Sequence, residues 1–139
     1  MIKNKSIKQD ILRLLPKVEV YLRSREDVQF AYLFGSYAKG KITPLSDVDI
    51  AVYLSGSNFS QKRLEILGGL IEVLKTDEID LVILNTAPLP LKIRILRNRK
   101  LLVDRTPLVR HAFESTTMRV YLDFNKLEKR ILERRYING

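Results

Sequence analysis

The chain has 139 residues and a formal net charge of +9 at pH 7, and its length is typical of one domain. It has no cysteine and one histidine, which excludes disulfides, thiolate metal sites and zinc sites built from several histidines. No apolar run reaches the roughly twenty residues that a membrane-spanning helix needs, and the N-terminus lacks the apolar core of a signal peptide, so we expect a cytoplasmic protein.

The first part of the chain is predicted to form a helix followed by two strands. Ser6 has capping-box form with Gln9 and opens the helix, and Pro16 either kinks this helix or starts a second segment. The aromatic and apolar run at residues 28–34 predicts a buried strand. The alternation of acidic and apolar residues at 47–53 predicts a second strand, which has one polar face.

A second helix and a third strand are predicted to follow. The helix is expected near residues 60–75, where it starts at Ser60 and carries apolar side chains at helical spacing. The Gly68-Gly69 pair inside it indicates close packing against the sheet. Residues 78–85 are typical of a strand that is buried on both faces.

The last third of the chain predicts a short helix, a short strand and a long helix. Prolines within residues 88–90 lead a basic helix, and residues 100–103 form the strand candidate. Thr106-Pro107 combines a capping residue with proline at the first helical position, and it starts a helix of up to about thirty residues. The Thr116-Thr117 pair is the weakest point of this helix and the place where a break is expected. One apolar stripe runs along the helix: Val109, Phe113, Thr116, Val120, Phe124, Leu127 and Ile131.

These elements predict an α/β (α+β) fold, in which a small mixed β-sheet is flanked by helices and a long helix ends the chain. We expect a single domain over residues 1–139. Its catalytic core would span about residues 25–105, and a helical extension would span about residues 106–136.

The positive charge is concentrated in the C-terminal third. Residues 1–91 carry 12 basic and 11 acidic side chains, a net of +1, whereas residues 92–139 carry 13 basic and 5 acidic side chains, a net of +8. A block of this kind suits an acidic protein surface or a nucleic-acid backbone, and it also fits a solvated surface without a partner.

The segment after the first strand has the features of a phosphate-binding turn. Gly35 lets the chain turn without a Cβ, and Ser36 caps the short helical turn at residues 37–39. Backbone N–H groups at the start of such a turn lack partners and suit a triphosphate, to which the Ser36 hydroxyl adds a donor. Lys39 and Lys41 add positive charge nearby.

Three carboxylates are predicted to lie close to this turn. Asp47 and Asp49 share one face of the second strand, where they repel each other unless a cation such as Mg²⁺ sits between them. Asp80 is the odd charge in the third strand, and its burial is costly unless it is paired or binds metal. If the two strands are neighbours, the three carboxylates can hold two Mg²⁺ ions, one activating the attacking oxygen and one holding the triphosphate. The alternative for Asp80 is an ion pair with a basic side chain.

The Gly-Ser pair, followed after ten residues by Asp-x-Asp and then by a strand with a single Asp, resembles the nucleotidyltransferase superfamily that includes DNA polymerase β. At this length the chain is similar to the minimal nucleotidyltransferases, the MNT proteins that are encoded beside HEPN partners in prokaryotic toxin–antitoxin pairs. The matching segments are residues 34–40, 46–49, 79–82 and the tail around 121–124.

The resemblance implies a polymerase β-like core and assigns roles to individual residues. The positions of Asp47, Asp49 and Asp80 bind metal in the superfamily, and those of Gly35 and Ser36 bind the triphosphate. Many relatives have Arg at the position of Lys39, and here Lys39 is the expected counterpart in nucleotide binding.

The function that the resemblance implies is Mg²⁺-dependent transfer of AMP from ATP to a hydroxyl, a tyrosine on a cognate HEPN ribonuclease toxin, so that the chain acts as the antitoxin. Two alternatives stay open. One is an antitoxin that neutralises its partner by binding alone, through the long helix. The other is a nucleotidyltransferase that acts on RNA or a small molecule, with the basic third contacting phosphates.

Overall fold

The computed structural model describes residues 2–137, and the side chains of residues 11–135, and it contains every predicted helix and strand. The sheet is mixed and helices cover it, so the predicted α/β fold class is confirmed. The helices are α1 (Ile2–Ser24), α2 (Gly35–Lys39), α3 (Phe59–Leu74), α4 (Leu89–Arg97) and α5 (Pro107–Ile137), and the strands are β1 (Val28–Phe34), β2 (Val48–Leu54), β3 (Ile79–Ile83) and β4 (Lys100–Asp104).

The sheet has the strand order β3-β2-β1-β4. β1 is antiparallel to both β2 and β4, whereas β2 and β3 are parallel. α3 provides the crossover that a parallel pair requires. Because β1 and β2 are the central strands, their apolar residues are buried on both faces of the sheet.

Helices bury the two faces of the sheet in two separate apolar clusters. On one face, α1 and α3 pack against alternate residues of β1 and β2, including Ala31 and Ile50. On the other face, α4 and the first turns of α5 pack against the intervening residues, including Phe30 and Ala51. The two-residue period of a strand therefore divides each central strand between the clusters.

α1 is one continuous helix, and two expectations for it are corrected. It begins at Ile2, so Ser6 lies inside the helix and is not its N-cap. Pro16 also lies inside the helix and neither ends it nor starts a second segment. Ile11 and Val18, on either side of Pro16, are both buried in the same cluster, and this packing offsets the loss of a backbone hydrogen bond at the proline.

α5 continues through the Thr116-Thr117 pair, so the expected break is absent. Thr117 is buried with 4% exposure, and β-branched residues lower helix propensity only slightly. Of the predicted apolar stripe, Val109 and Phe113 pack against the apolar cluster that contains Phe30 and Ala51. Although α5 has 31 residues, neither it nor any other described helix is long and apolar enough to cross a membrane.

Gly69 allows α3 to approach α1, not the sheet as the sequence predicted. A Cβ at Gly69 would overlap the ring of Tyr21 on α1, whereas nothing lies within 4 Å of a Cβ at Gly68. The pair therefore has one crowded position and one open position, and only Gly69 is needed for packing.

Gly69→Ala is expected to be about 1–2 kcal/mol less stable than Gly68→Ala, because the Tyr21 ring has to move aside for the new methyl group. Gly68→Ala is expected to gain up to about 1 kcal/mol from the higher helix propensity of alanine. Urea unfolding of the two variants measures the difference. Equal stabilities would contradict the contact between α1 and Gly69.

Candidate functional site

The predicted site residues lie at one edge of the sheet, where β1 ends and the other three strands begin. Phe34 at the end of β1 pairs with Asp49, and Asp49 pairs with Asp80 on β3. Leu33 pairs with Lys100 at the start of β4. The neighbouring positions of β2 and β3, which the sequence left conditional, are therefore observed. This edge of the sheet is termed the motif edge.

Gly35 and Asp49, from opposite ends of the motif, are in contact. Gly35 has a φ of 68°, in the left-handed region that favours glycine. A Cβ at this position would overlap Asp49 Oδ2 and lie 3.0 Å from Asp49 Cγ. The pairing of Phe34 with Asp49 in the β1–β2 ladder brings the two residues together. Both backbone conformation and crowding therefore exclude a side chain at position 35.

Ser36 lies within α2, so its predicted role as the helix cap is wrong. The N-cap of α2 is Phe34, in an extended conformation and without a side-chain capping bond. The turn starts at Gly35 directly after the strand, and this places Ser36 in the first helical turn, where backbone N–H groups lack intrahelical partners. The backbone N–H groups of Gly40 and Lys41 both donate to the Ser36 carbonyl and close the turn. Lys39 is exposed in the last turn of α2.

Asp47 lies just before β2, after a turn that Ser46 stabilises. The Ser46 hydroxyl accepts a hydrogen bond of 2.8 Å from the Thr43 backbone N–H, and the Ser46 N–H donates to the Thr43 carbonyl at 3.0 Å. Ser46 is buried, with 7% exposure, whereas Asp47 is exposed. The turn thus fixes the backbone at Asp47 and leaves its carboxylate facing solvent.

Asp80 is exposed, so the prediction that its charge is buried was wrong. β3 is an edge strand with β2 as its only neighbour, so its residues alternate between the buried face of Leu81 and Ile83 and a more open face. Within residues 11–135, no Lys or Arg forms a salt bridge with Asp80, so the predicted alternative of an ion pair is absent as well.

The surroundings of Asp49 disfavour its ionised form. The pKa of this half-buried carboxyl is raised to about 6, mainly by burial and next by the charge of Asp80; Arg94 opposes the shift, and Asp47 adds to it. Asp49 has lost part of its hydration, and no Lys or Arg within residues 11–135 forms a direct ion pair with it. A cation bound among the three carboxylates would provide the missing charge.

The donor set fits Mg²⁺. Within the described part of the chain, no three Asp, Glu, His or Cys side chains lie close enough together to coordinate one metal ion without rearranging. Asp47 and Asp80 are exposed, and three like charges repel one another. Mg²⁺ does not require such a cage, because it is usually held by one or two carboxylates together with waters and substrate phosphates.

Arg94 is the side chain near the carboxylates that the sequence interpretation missed. It lies on α4 between the buried residues Ile93 and Ile95, is exposed, and lowers the pKa of Asp49. The sequence showed only that α4 is basic. Which of its charges faces the carboxylates depends on how the helix packs on the sheet, and no local pattern reveals that.

A basic cavity of about 510 Å³ opens beside α2, the predicted phosphate-binding turn. Ala38 of α2 forms part of its wall, and Arg97, Arg99 and Lys100 contribute side chains from the connection between α4 and β4. Arg99 is held in place by an ion pair of 2.6 Å with Glu114 on α5. The cavity places positive charge next to the motif edge, where it would attract anionic groups.

The chain is similar to several known proteins. The family model described as "Polymerase beta, Nucleotidyltransferase" matches residues 16–108, which include every predicted site residue. A Methanocaldococcus jannaschii protein with the provisional name protein adenylyltransferase is 33% identical over 105 residues, covering 75% of this chain and 75% of the relative.

Among the solved structures that resemble most of the chain are two toxin–antitoxin complexes. A chain of a toxin–antitoxin crystal structure with AMP-PNP is 28% identical with a TM-score of 0.65, and the match covers 90% of this chain and 94% of the other. A chain from the complex of tri-AMPylated Shewanella oneidensis HEPN toxin with MNT antitoxin is 25% identical with a TM-score of 0.59, and the match covers 94% of this chain and 96% of the other.

Proposed function

The chain belongs to the polymerase β nucleotidyltransferase family and is a nucleotidyltransferase, and on this basis we propose that it transfers AMP from ATP to a tyrosine of a cognate HEPN ribonuclease toxin. It thereby acts as an antitoxin. The observation that carries the proposal is the contact of Gly35 with Asp49, together with the pairing of Asp49 with Asp80. The contact and the pairing bring Gly35, Asp49 and Asp80 to one edge of the sheet, and Asp47 lies just before β2 at the same edge.

In the proposed complex with ATP, the turn holds the triphosphate and the carboxylates hold the metal. Backbone N–H groups at Gly35 and Ser36 would donate to phosphate oxygens, and Lys39 would add charge to them. Asp47, Asp49 and Asp80 would hold Mg²⁺, with two ions in the fully loaded site. Bound Mg²⁺ neutralises charge on the phosphates and increases the acidity of the attacking hydroxyl.

The proposed reaction is an in-line displacement at the α-phosphorus. The acceptor oxygen forms a bond to that phosphorus, the bond to the oxygen that bridges to the β-phosphorus breaks, and pyrophosphate leaves. The hydroxyl proton passes to an exposed carboxylate of the cluster. The protein contributes positioning and charge neutralisation, which carry most of the catalysis in transfers of this kind.

Two of the comparisons support a toxin as the acceptor. One matched chain comes from a complex in which a HEPN toxin is tri-AMPylated, and another comes from a toxin–antitoxin complex with an ATP analogue. An AMP group on a tyrosine near the RNA-cutting site of a ribonuclease would add negative charge there and repel the RNA backbone.

The proposal is tested by intact-mass spectrometry of the cognate HEPN protein after incubation with this chain, ATP and Mg²⁺. We expect the HEPN protein to gain the mass of one or more AMP groups, and peptide fragmentation should place them on tyrosine. A stable complex without added mass would favour neutralisation by binding alone. Added AMP on RNA in the same mixture, with none on protein, would favour the RNA-directed alternative.

Transfer is expected to fall as the pH is lowered through about 6, because Asp49, with a pKa of about 6, then takes up a proton that competes with Mg²⁺. Raising the Mg²⁺ concentration at pH 5.5 should restore part of the rate. Initial rates measured across pH 5–8 at two Mg²⁺ concentrations test this. A profile that is flat, or that Mg²⁺ does not shift, would contradict the role of Asp49.

The same pKa has a consequence for the metal-free protein. The folded state holds a proton on Asp49 at pH values where the unfolded state, with a pKa near 3.8, has lost it. The contribution of Asp49 to folding stability therefore decreases as the pH rises from about 4 to about 6 and stays low above that. Asp49→Asn should remove this component, which a comparison of melting curves without Mg²⁺ would show.

A further inference from the structure

The C-terminal half of α5 extends away from the rest of the chain. The Arg97 guanidinium donates a hydrogen bond of 3.1 Å to the Tyr121 hydroxyl, and beyond this contact every side chain of residues 122–135 is exposed. Four apolar side chains on one face form what is termed the distal stripe: Val120 at 47%, Phe124 at 56%, Leu127 at 54% and Ile131 at 53% exposure. Contiguous apolar surface of this kind marks an interaction site more often than a solvated helix.

The spacing of the distal stripe is that of a coiled coil. It continues the positions of Phe113 and Thr117 with alternating intervals of four and three residues, which is a heptad pattern. Phe113 and Thr117 pack within the chain itself, so the same face is covered in the first half of α5 and free in the second. Leu122, at 51% exposure, lies on the opposite face of the helix.

α5 runs towards the motif edge and passes it. Near the start of α5, Arg110 Nε lies 3.0 Å from Asp104 Oδ2 at the end of β4, as an ion pair without the alignment of a hydrogen bond. Further along α5, Glu114 pairs with Arg99 and Tyr121 contacts Arg97, both close to the start of β4 at the motif edge. Residues 122–135 then extend about 20 Å further at 1.5 Å per residue.

The charges around the distal stripe favour an acidic partner over a second copy of this chain. Residues 118–135 carry six basic and three acidic side chains, and the basic cavity at the motif edge lies nearby. In a parallel coiled coil of two copies, Asp123 of one copy would face Glu128 of the other. Arg130 would face Arg135 in the same way. Like charges at these positions repel each other. In an antiparallel pair with Phe124 facing Leu127, the seam would be interrupted where Arg134 meets the covered Thr117.

We propose that the distal stripe docks an amphipathic helix of the acceptor protein, one with acidic residues on its flanks. The two helices would pack as a short coiled coil next to the motif edge, and this packing would bring the acceptor hydroxyl to the carboxylates. The inference rests on the proposed transfer of AMP to a protein. Docking of this kind lowers the KM for the acceptor and leaves the binding of ATP unchanged.

Leu127→Asp tests the proposal, and Leu122→Asp is its matched control. Both change an exposed leucine of the same helix into aspartate, at 54% and 51% exposure, but only Leu127 belongs to the distal stripe. The probes are the cognate HEPN protein, for binding and AMP transfer, and AMP-PNP with Mg²⁺, for the nucleotide site. We expect Leu127→Asp to weaken binding of the HEPN protein about tenfold or more and to raise its KM, whereas Leu122→Asp stays within about twofold.

AMP-PNP binding and the melting temperature should be the same in both variants and the wild type. Equal losses of HEPN binding in the two variants would overturn the proposal. So would a wild-type homodimer that Leu127→Asp dissociates while HEPN binding is unaffected, because a second copy would then cover the stripe.

The outcomes also separate this inference from the proposed function. Suppose that the HEPN protein binds the wild type, that Leu127→Asp abolishes this binding, and that the wild type transfers no AMP. The docking site is then supported, and the proposed transfer to this protein is contradicted. If AMP is transferred and Leu127→Asp matches the wild-type rate at low HEPN concentration, the transfer stands and the docking site fails.

Discussion

Replacing Asp47 and Asp49 by Asn together is expected to lower the rate of AMP transfer by at least about 10³-fold, because the neutral amides cannot hold Mg²⁺ against the triphosphate. The fold should persist. Asp47 is exposed, and Asn at position 49 removes a carboxyl whose pKa is raised to about 6 by burial, by Asp80 and by Asp47. Label transfer from ATP to the HEPN protein gives the rates, and melting curves check the fold.

Asp77→Asn is the matched control for this loss. It makes the same chemical change on an exposed side chain that lies just before β3 and is not one of the three proposed metal ligands. The control variant should keep the wild-type rate within about twofold, in line with surface substitutions elsewhere. If the double variant kept a tenth of the wild-type activity or more, the carboxylates would not be the metal-binding residues of the reaction.

Gly35→Ala is expected to lower the transfer rate by about 10²-fold and to destabilise the fold by about 1–3 kcal/mol. The new Cβ overlaps Asp49 Oδ2, so either the carboxylate or the proposed phosphate-binding turn has to move. The backbone adds to the loss of stability, since Gly35 has a φ of 68°. Transfer rates and urea unfolding measure the two effects separately.

Gly40→Ala separates backbone strain from crowding. Gly40 has a φ of 73°, close to that of Gly35, but nothing lies within 4 Å of a Cβ built on it. It should therefore lose about 1 kcal/mol of stability and keep most of its activity. If Gly40→Ala lost as much activity as Gly35→Ala, the contact between Gly35 and Asp49 would not be what positions the site.

The parts of the site that depend on local pattern could be predicted from the sequence. The aromatic run predicted a strand at residues 28–34, which are the limits of β1, and the alternation at residues 47–53 predicted β2 with Asp49 and Ile50 on opposite faces. Mutual repulsion of two nearby carboxylates is a local property as well. It therefore predicts a cation site without any knowledge of strand order, and the site itself stays a prediction.

The parts that depend on tertiary packing could not be predicted in the same way. An apolar strand has the same sequence pattern in the middle of a sheet and at its edge, which is why Asp80 was expected to be buried and is exposed. α2 begins at Gly35, two residues before the predicted start at residue 37, and Ser36 therefore lies inside the helix and not at its cap. Arg94 reaches Asp49 electrostatically only because of how α4 packs on the sheet.

The sequence also did not show which part of the apolar stripe of α5 is covered by the chain itself. The apolar stripe of α5 has one period over its full length, yet Phe113 packs against the sheet and Phe124 is 56% exposed. Periodicity shows that a helix face seeks a partner, but it does not show whether the partner lies in the same chain.

ATP labelled at either the α- or the γ-phosphate, incubated with this chain, the cognate HEPN protein and Mg²⁺, shows directly whether AMP is the group transferred. Transfer of AMP predicts that label from the α-phosphate stays on the HEPN protein and that label from the γ-phosphate leaves with pyrophosphate. Retention of the γ-label would show phosphoryl transfer instead. If a stable complex forms but neither label is found on the HEPN protein, the motif edge does not act on this acceptor.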